Sequence, residues 1–219
     1  MSFVQWKEIQ DCLPSEVNLL AVSKGHPASS IRELAKCGQV DFGESRVQEA
    51  IPKLEVLKDV KLRWHFIGRL QSNKVRIIVR YFDFIHSIDS FSLAERIDRI
   101  AAEEERHPKV MLQVKFRDDP NKGGFLPTHL LEIWKDFKRL KNFELVGLMT
   151  MAPINHDPID RRKLFEECRL LADKLELPHC SMGMSTDWED ALKAGSTWLR
   201  IGSYVFGARS KTVKLIEEI

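Results

Sequence analysis

Apolar residues in this chain fall into short unbroken runs, separated by longer stretches in which they recur every three or four positions. Short apolar runs bounded by Gly, Pro or polar clusters read as strands buried on both faces. Eight such runs are present, at 17–23, 40–43, 62–67, 82–87, 110–114, 143–149, 180–182 and 198–201. The stretches between them carry helical periodicity. In 90–106, Phe91, Leu93, Ala94, Ile97, Ile100 and Ala101 form a stripe opposite Glu95, Arg96, Arg99 and Glu103. Segments 126–140 and 160–175 repeat that pattern. Three Ser/Thr-x-x-Glu capping boxes, Ser30 to Glu33, Ser92 to Glu95 and Thr186 to Glu189, predict helix starts. Gly38 and Gly195 stand where helix C-termini are expected.

Eight strand–helix alternations predict an α/β fold with a parallel sheet, and eight units are what close a (β/α)8 TIM barrel. No Pro/Gly/Ser-rich linker divides the chain, so a single domain over 1–219 is expected. A doubly wound open sheet is the alternative; the absence of a GxGxxG after the first strand counts against it.

In such a barrel, chemistry collects at the carboxyl ends of the strands. The first run ends at Lys24, before Gly25, His26 and Pro27. A lysine there either snorkels into water or is desolvated, and desolvation lowers its pKa and makes the amine able to form a Schiff base. After the seventh run, Ser181-Met182-Gly183-Met184-Ser185-Thr186-Asp187 leads into a helix, with Ser185 or Thr186 placed as its N-cap. After the eighth come Gly202-Ser203 and Phe206-Gly207. Loops after strands 7 and 8 are the recurrent phosphate site of TIM barrels, and helix N-termini favour anions. Arg200, in the last run, is expected either to pair with a strand-end carboxylate such as Glu44 or to donate to a ligand. His65 lies within an apolar strand, with Trp64 and Phe66 facing away from it; a hydrogen-bonded core histidine is the simpler assignment.

The bulk numbers narrow the field. Hydrophobic residues make up 43% and charged residues 30%, and 34 basic side chains balance 32 acidic ones at a net +2. Nothing in that balance points to nucleic acid or a membrane surface. Cys12, Cys37, Cys168 and Cys180 lack CxxC spacing, and no metal-ligand motif, P-loop or GxSxG occurs. They read as free thiols of a reducing compartment, and with no signal-peptide pattern at the start a cytoplasmic location is expected.

The motifs together resemble the pyridoxal phosphate (PLP) homeostasis protein family. The resemblance rests on Leu20-Ala21-Val22-Ser23-Lys24, Phe42-Gly43-Glu44, the run from Trp64 to Lys74, Gly147-Leu148-Met149-Thr150-Met151, Ser181 to Asp187, Arg200-Ile201-Gly202 and Phe206-Gly207-Ala208-Arg209. It spans about 17–209. Two positions depart from the family pattern, Ser45 after Gly-Glu and Lys115 after Gln-Val, where the family has asparagine. The resemblance implies a barrel similar to the N-terminal domain of alanine racemase, with PLP at the strand ends. Lys24 would carry the Schiff base, while Ser185, Gly202 and Ser203 would hold the phosphate, with Thr186 a weaker candidate. Arg200 would face the pyridine nitrogen, and His65, Met149 and Ser181 would line the ring pocket.

A racemase needs acid/base groups on both faces of its substrate carbanion. The chain has two tyrosines, Tyr81 and Tyr204, and no second domain is read to bring another base. An arginine at the ring nitrogen would also weaken the cofactor as an electron sink. A monomeric carrier that buffers PLP, and serves PLP-dependent apo-enzymes, is therefore the first reading and a non-enzymatic one. A weak amino-acid racemase is the second, and a cofactor-free Schiff-base aldolase acting on a phosphorylated sugar the third.

Overall fold

The computed structural model describes residues 3–119, 122–153 and 157–207. Its strands are β1 Asn18–Val22, β2 Asp41–Glu44, β3 Arg63–Phe66, β4 Phe84–Ile88, β5 Lys109–Gln113, β6 Glu144–Met149, β7 His179–Ser181 and β8 Trp198–Ile201. All eight predicted runs are strands. They pair in chain order, each parallel to the next, and β8 closes on β1 through Leu19 with Leu199 and Leu20 with Arg200. The architecture is a closed (β/α)8 barrel.

The helices are α1 Val4–Cys12, α2 Ala28–Lys36, α3 Val47–Val56, α4 Val75–Tyr81, α5 Phe91–Glu103, α6 Pro127–Phe137, α7 Pro158–Lys174, α8 Trp188–Lys193 and α9 Ser203–Phe206. Burial of Leu93, Ala94, Ile97, Ile100 and Ala101 on α5 follows the predicted stripe. Alternation along each strand divides the apolar residues into two cores. The larger lies between sheet and helices and includes Trp64, Phe66, Ile85 and Leu199. The smaller fills the barrel with Leu20, Phe84, Met111, Val146, Met149 and Trp198. His65 lies on the inner side, so Trp64 and Phe66 do face away from it.

The capping boxes mark the wrong residues. Helix α2 starts at Ala28 after Pro27, which places Ser30 inside it. On α5 the cap is Ser90, whose hydroxyl accepts from the Leu93 amide, two residues before Ser92. On α8 the N-cap is Asp187, not Ser185 or Thr186. At α2 and α5 the extended backbone falls on Pro27 and Ser90, which leaves Ser30 and Ser92 in the first turn, while at α8 Thr186 lies before the cap and outside the helix. At the other ends, Gly38 and Gly195 follow α2 and α8 in the left-handed region as expected.

The four cysteines are free, Cys168 and Cys180 buried and Cys12 and Cys37 exposed. No helix among the described residues is long and apolar enough to cross a membrane.

Candidate functional site

A cavity of about 330 Å³ opens at the carboxyl end of the barrel. It is within the range that holds a small ligand. Its wall takes Val22 and Lys24 from β1 and the loop beyond it, Ile67 after β3, Met151 after β6, Met184, Ser185 and Thr186 after β7, and Arg200, Gly202 and Ser203 from β8 onward. Lys24 is half-buried there. The loops after β7 and β8 touch, the Ser203 hydroxyl donating to Ser185 Oγ at 3.3 Å. Gly183 makes the β7 turn possible: its φ is +90°, and a side chain would meet Ala191 Cβ at 2.6 Å. Gly68 lies so close to the wall that a Cβ would fall 2.0 Å from the Ser45 carbonyl oxygen.

Five of the eight predicted site residues, Lys24, Ser185, Arg200, Gly202 and Ser203, therefore share one cavity. His65, Met149 and Ser181 are not on its wall. Met149 is part of the barrel filling. His65 is fully buried, its ring stacked on Phe84 at 4.2 Å and hydrogen-bonded to Asp41 and His86. Ser181 is fully buried and supports Arg200 instead. The N-cap expectation also changes the anion site, because Asp187 Oδ1 accepts the Met184 amide at 2.5 Å and takes that donor from the β7 turn.

Arg200 does not pair with Glu44. Its Nη1 donates to the Ser181 carbonyl oxygen at 2.6 Å and to Ser181 Oγ at 2.9 Å, and its Nη2 donates to the Thr150 carbonyl oxygen at 2.9 Å. Burial lowers its pKa to about 10, so it remains a cation and a donor at neutral pH.

Glu44 belongs to a second cluster, beneath Lys24. The buried Lys53 ammonium of α3 donates to Glu44 Oε1 at 2.8 Å, Glu49 Oε1 at 2.5 Å and the Ser23 carbonyl oxygen at 2.9 Å. The Ser23 hydroxyl donates to Glu44 at 2.6 Å, and the Gly25 amide donates to Glu49 at 2.5 Å. The backbone on both sides of Lys24 is thus tied to one buried ion cluster. Burial pushes the Glu44 carboxyl up against the pull of Lys53. For Glu49 burial acts in the same direction, but the Lys53 and Gly25 hydrogen bonds outweigh it and hold the carboxyl below its usual range.

Residues 4–210 match the family model for the alanine racemase N-terminal domain. The pyridoxal phosphate homeostasis protein of Synechocystis sp. is 42% identical over 211 residues, which is 93% of this chain and 97% of that one. The chain belongs to the pyridoxal phosphate homeostasis protein family. The solved structure of PipY from Synechococcus elongatus PCC7942 with PLP bound superposes on this family member with a TM-score of 0.89. It is 44% identical, with 93% of this chain and 98% of that chain covered. Alanine racemase of Clostridium difficile 630 shares the fold, with a TM-score of 0.77 at 17% identity, over 92% of this chain and 57% of the racemase.

Within this PLP homeostasis family member, sequence reading passed over three features of the site. His26 lines the cavity with its ring stacked on Phe206 at 4.8 Å, yet in Gly25-His26-Pro27 it looks like turn punctuation. Ile67 and Met151 form apolar wall one and two residues past their strands. Lys53 gives no local signal of its burial, since an i,i+4 pairing with Glu49 is ordinarily a feature of an exposed helix face. Of the motifs that carry the resemblance, Ala208 and Arg209 lie outside the described residues.

Proposed function

We propose that this protein binds pyridoxal 5'-phosphate in the strand-end cavity and serves PLP homeostasis rather than turnover of an amino acid. Lys24 supplies the amine that condenses with the cofactor's aldehyde, forming a C=N bond as one water leaves. The serine hydroxyls of Ser185 and Ser203 and the Gly202 turn hold the phosphate. Arg200, oriented by Ser181 and Thr150, presents donors to the ring nitrogen, which keeps that nitrogen an acceptor. The bound group supplies an electrophilic imine and a conjugated ring. The residues around it bind, orient and shield that ring, with Ile67, Met151 and Met184 as apolar wall. His65, Met149 and Ser181 act from behind the wall.

The observation that carries this reading is the convergence of a half-buried strand-end lysine, a buried arginine and two serine-bearing turns on one cavity. It is supported by 44% identity to a chain solved with PLP. The carrier reading is favoured over a racemase because neither a tyrosine nor a carboxylate is among the described residues that line this cavity.

The test is the visible absorbance of protein loaded with PLP and exhaustively dialysed. Wild type is expected to retain an imine band, whereas Lys24→Ala retains neither the band nor stoichiometric PLP. A dialysed wild type without the band defeats the binding reading. Enzyme-like turnover of alanine by the loaded protein defeats the carrier reading.

A further inference from the structure

Five buried side chains join end to end through the middle of the barrel. Asp41 opens β2 at the amino end of the barrel, beside a small cleft that also takes in Asn18, Gln39 and Arg63. Its Oδ2 accepts from Arg63 Nη2 at 2.7 Å, and its Oδ1 lies 2.9 Å from His65 Nε2. His65 Nδ1 is 3.0 Å from His86 Nε2, and His86 Nδ1 is 2.9 Å from Ser181 Oγ. Ser181 Oγ in turn receives Arg200 Nη1 at 2.9 Å, and Arg200 stands on the cavity wall at the opposite end. His65, His86 and Ser181 are no more than 0% exposed.

Donor and acceptor chemistry fixes the direction of this chain. An ionised carboxylate only accepts, so His65 donates from Nε2. With the ring neutral, His65 Nδ1 accepts and His86 donates to it from Nε2. His86 Nδ1 then accepts the Ser181 hydroxyl, whose oxygen accepts from Arg200. One arrangement satisfies all four links, with both histidines neutral and carrying Nε2–H. Protonating His65 would reverse His86 and give Ser181 Oγ two donors. Burial opposes it by holding both imidazoles below their ordinary pKa, against the pull of Asp41 on His65 and, for His86, with the added repulsion of His65 and Arg200. Phe84 and Trp198 pack on the His65 ring at 4.2 and 4.8 Å and fix its plane.

We propose that Asp41, His65, His86 and Ser181 form an oriented hydrogen-bond relay across the barrel that positions the Arg200 guanidinium, making Asp41 a positioning residue for the cavity at the far end. The relay ends in an anion on one side and a cation on the other, so each bond polarises the next in the same sense. Three of the five Arg200 donors are engaged on the barrel side, by Ser181 and Thr150. That holds the planar group in one orientation toward the cavity. The effect on a bound cofactor rests on the PLP reading above; the relay itself does not.

Two measurements separate them. Long-range proton–nitrogen correlation spectra of histidine-labelled protein without added PLP, at neutral pH, are expected to show two buried neutral imidazoles bearing Nε2–H. A Nδ1–H tautomer or an imidazolium at His65 or His86 overturns the relay, whatever the protein binds. The second is PLP affinity in a double-mutant cycle. Asp41→Asn keeps an acceptor for His65 but removes the charge, and is expected to weaken PLP roughly three- to tenfold with a displaced absorbance band. Ser181→Ala cuts the relay beside Arg200 and is expected to weaken PLP roughly five- to thirtyfold. The double variant should bind like Ser181→Ala alone, because the charge at Asp41 no longer reaches the cavity. Additive losses, or an Asp41→Asn protein with wild-type affinity and spectrum, overturn the positioning role. Wild type that takes up no PLP defeats the PLP reading and leaves the relay to the imidazole spectra.

Discussion

Replacing Lys53 by methionine isolates what the ion cluster beneath Lys24 contributes. Methionine fills similar volume and leaves the helix intact, so the change is the loss of one buried ammonium. Three acceptors lose the ammonium at once: the Ser23 carbonyl oxygen, Glu44 Oε1, which keeps only the neutral Ser23 hydroxyl, and Glu49 Oε1, which keeps only the Gly25 amide. Glu44 is fully buried, and its second oxygen already lacks a hydrogen-bond partner. Glu49 is about one-quarter exposed and can recover some solvation. Removing one partner of a buried ion pair costs about 3–5 kcal/mol, because the remaining charge stays desolvated. For a chain of this size that is a melting-temperature fall of roughly 6–20 °C.

The assay is urea unfolding followed by circular dichroism, with the m-value checked for constancy. Glu44→Gln in the Lys53→Met background should recover more than about 1 kcal/mol, since the stranded charge is gone. Acidification should also help the single variant. Glu44 has its pKa raised by burial, so its folded form takes up a proton above the unfolded value, and stability is regained as pH falls through the folded pKa. A Lys53→Met protein within about 1 kcal/mol of wild type at pH 7, the range of an exposed i,i+4 pair, would refute the buried-cluster account.

Other consequences can be checked directly. His86 is buried neutral with its pKa well below the ordinary value, so the unfolded chain binds a proton first as pH drops through about 6.5. Between pH 7 and 5.5 this histidine alone should cost at most about 1.2 kcal/mol, and urea midpoints of His86→Gln should fall less over that window than those of wild type. Gly68→Ala should lose several degrees of melting temperature and distort the cavity, because its Cβ would overlap the Ser45 carbonyl; thermal melts and PLP titration read both effects. Arg200→Lys should weaken PLP at least tenfold, as an ammonium cannot span Ser181 and Thr150 as the guanidinium does; unchanged affinity would remove Arg200 from the site.

The fold was legible because a two-face-buried strand leaves a continuous apolar run, and all eight runs survive in the barrel. Helix starts were less legible. Several Ser and Thr residues within a turn of each other can cap, and the backbone chooses among them, as Ser90 over Ser92 shows. At the site, strand-end position found Lys24, Arg200 and the serine turns, since the barrel places every strand end around one mouth. It did not find who partners whom. Nothing local tells that Arg200 binds Ser181 rather than Glu44, or that Lys53 turns inward, because those choices depend on register between strands far apart in sequence. His65 was the reverse case: its place within an apolar strand pointed to a hydrogen-bonded core histidine, which is how it is found, while only the resemblance implied a place on the ring pocket.

The central claim is that Lys24 is the residue to which PLP becomes attached. Borohydride reduction of the loaded protein, followed by proteolysis and mass mapping, tests it most directly, because reduction makes the C=N link permanent. The account predicts one pyridoxyl group on the peptide bearing Lys24 and none in Lys24→Ala. Modification centred on Lys53 or Lys122 instead, or no stoichiometric adduct in wild type, would contradict it.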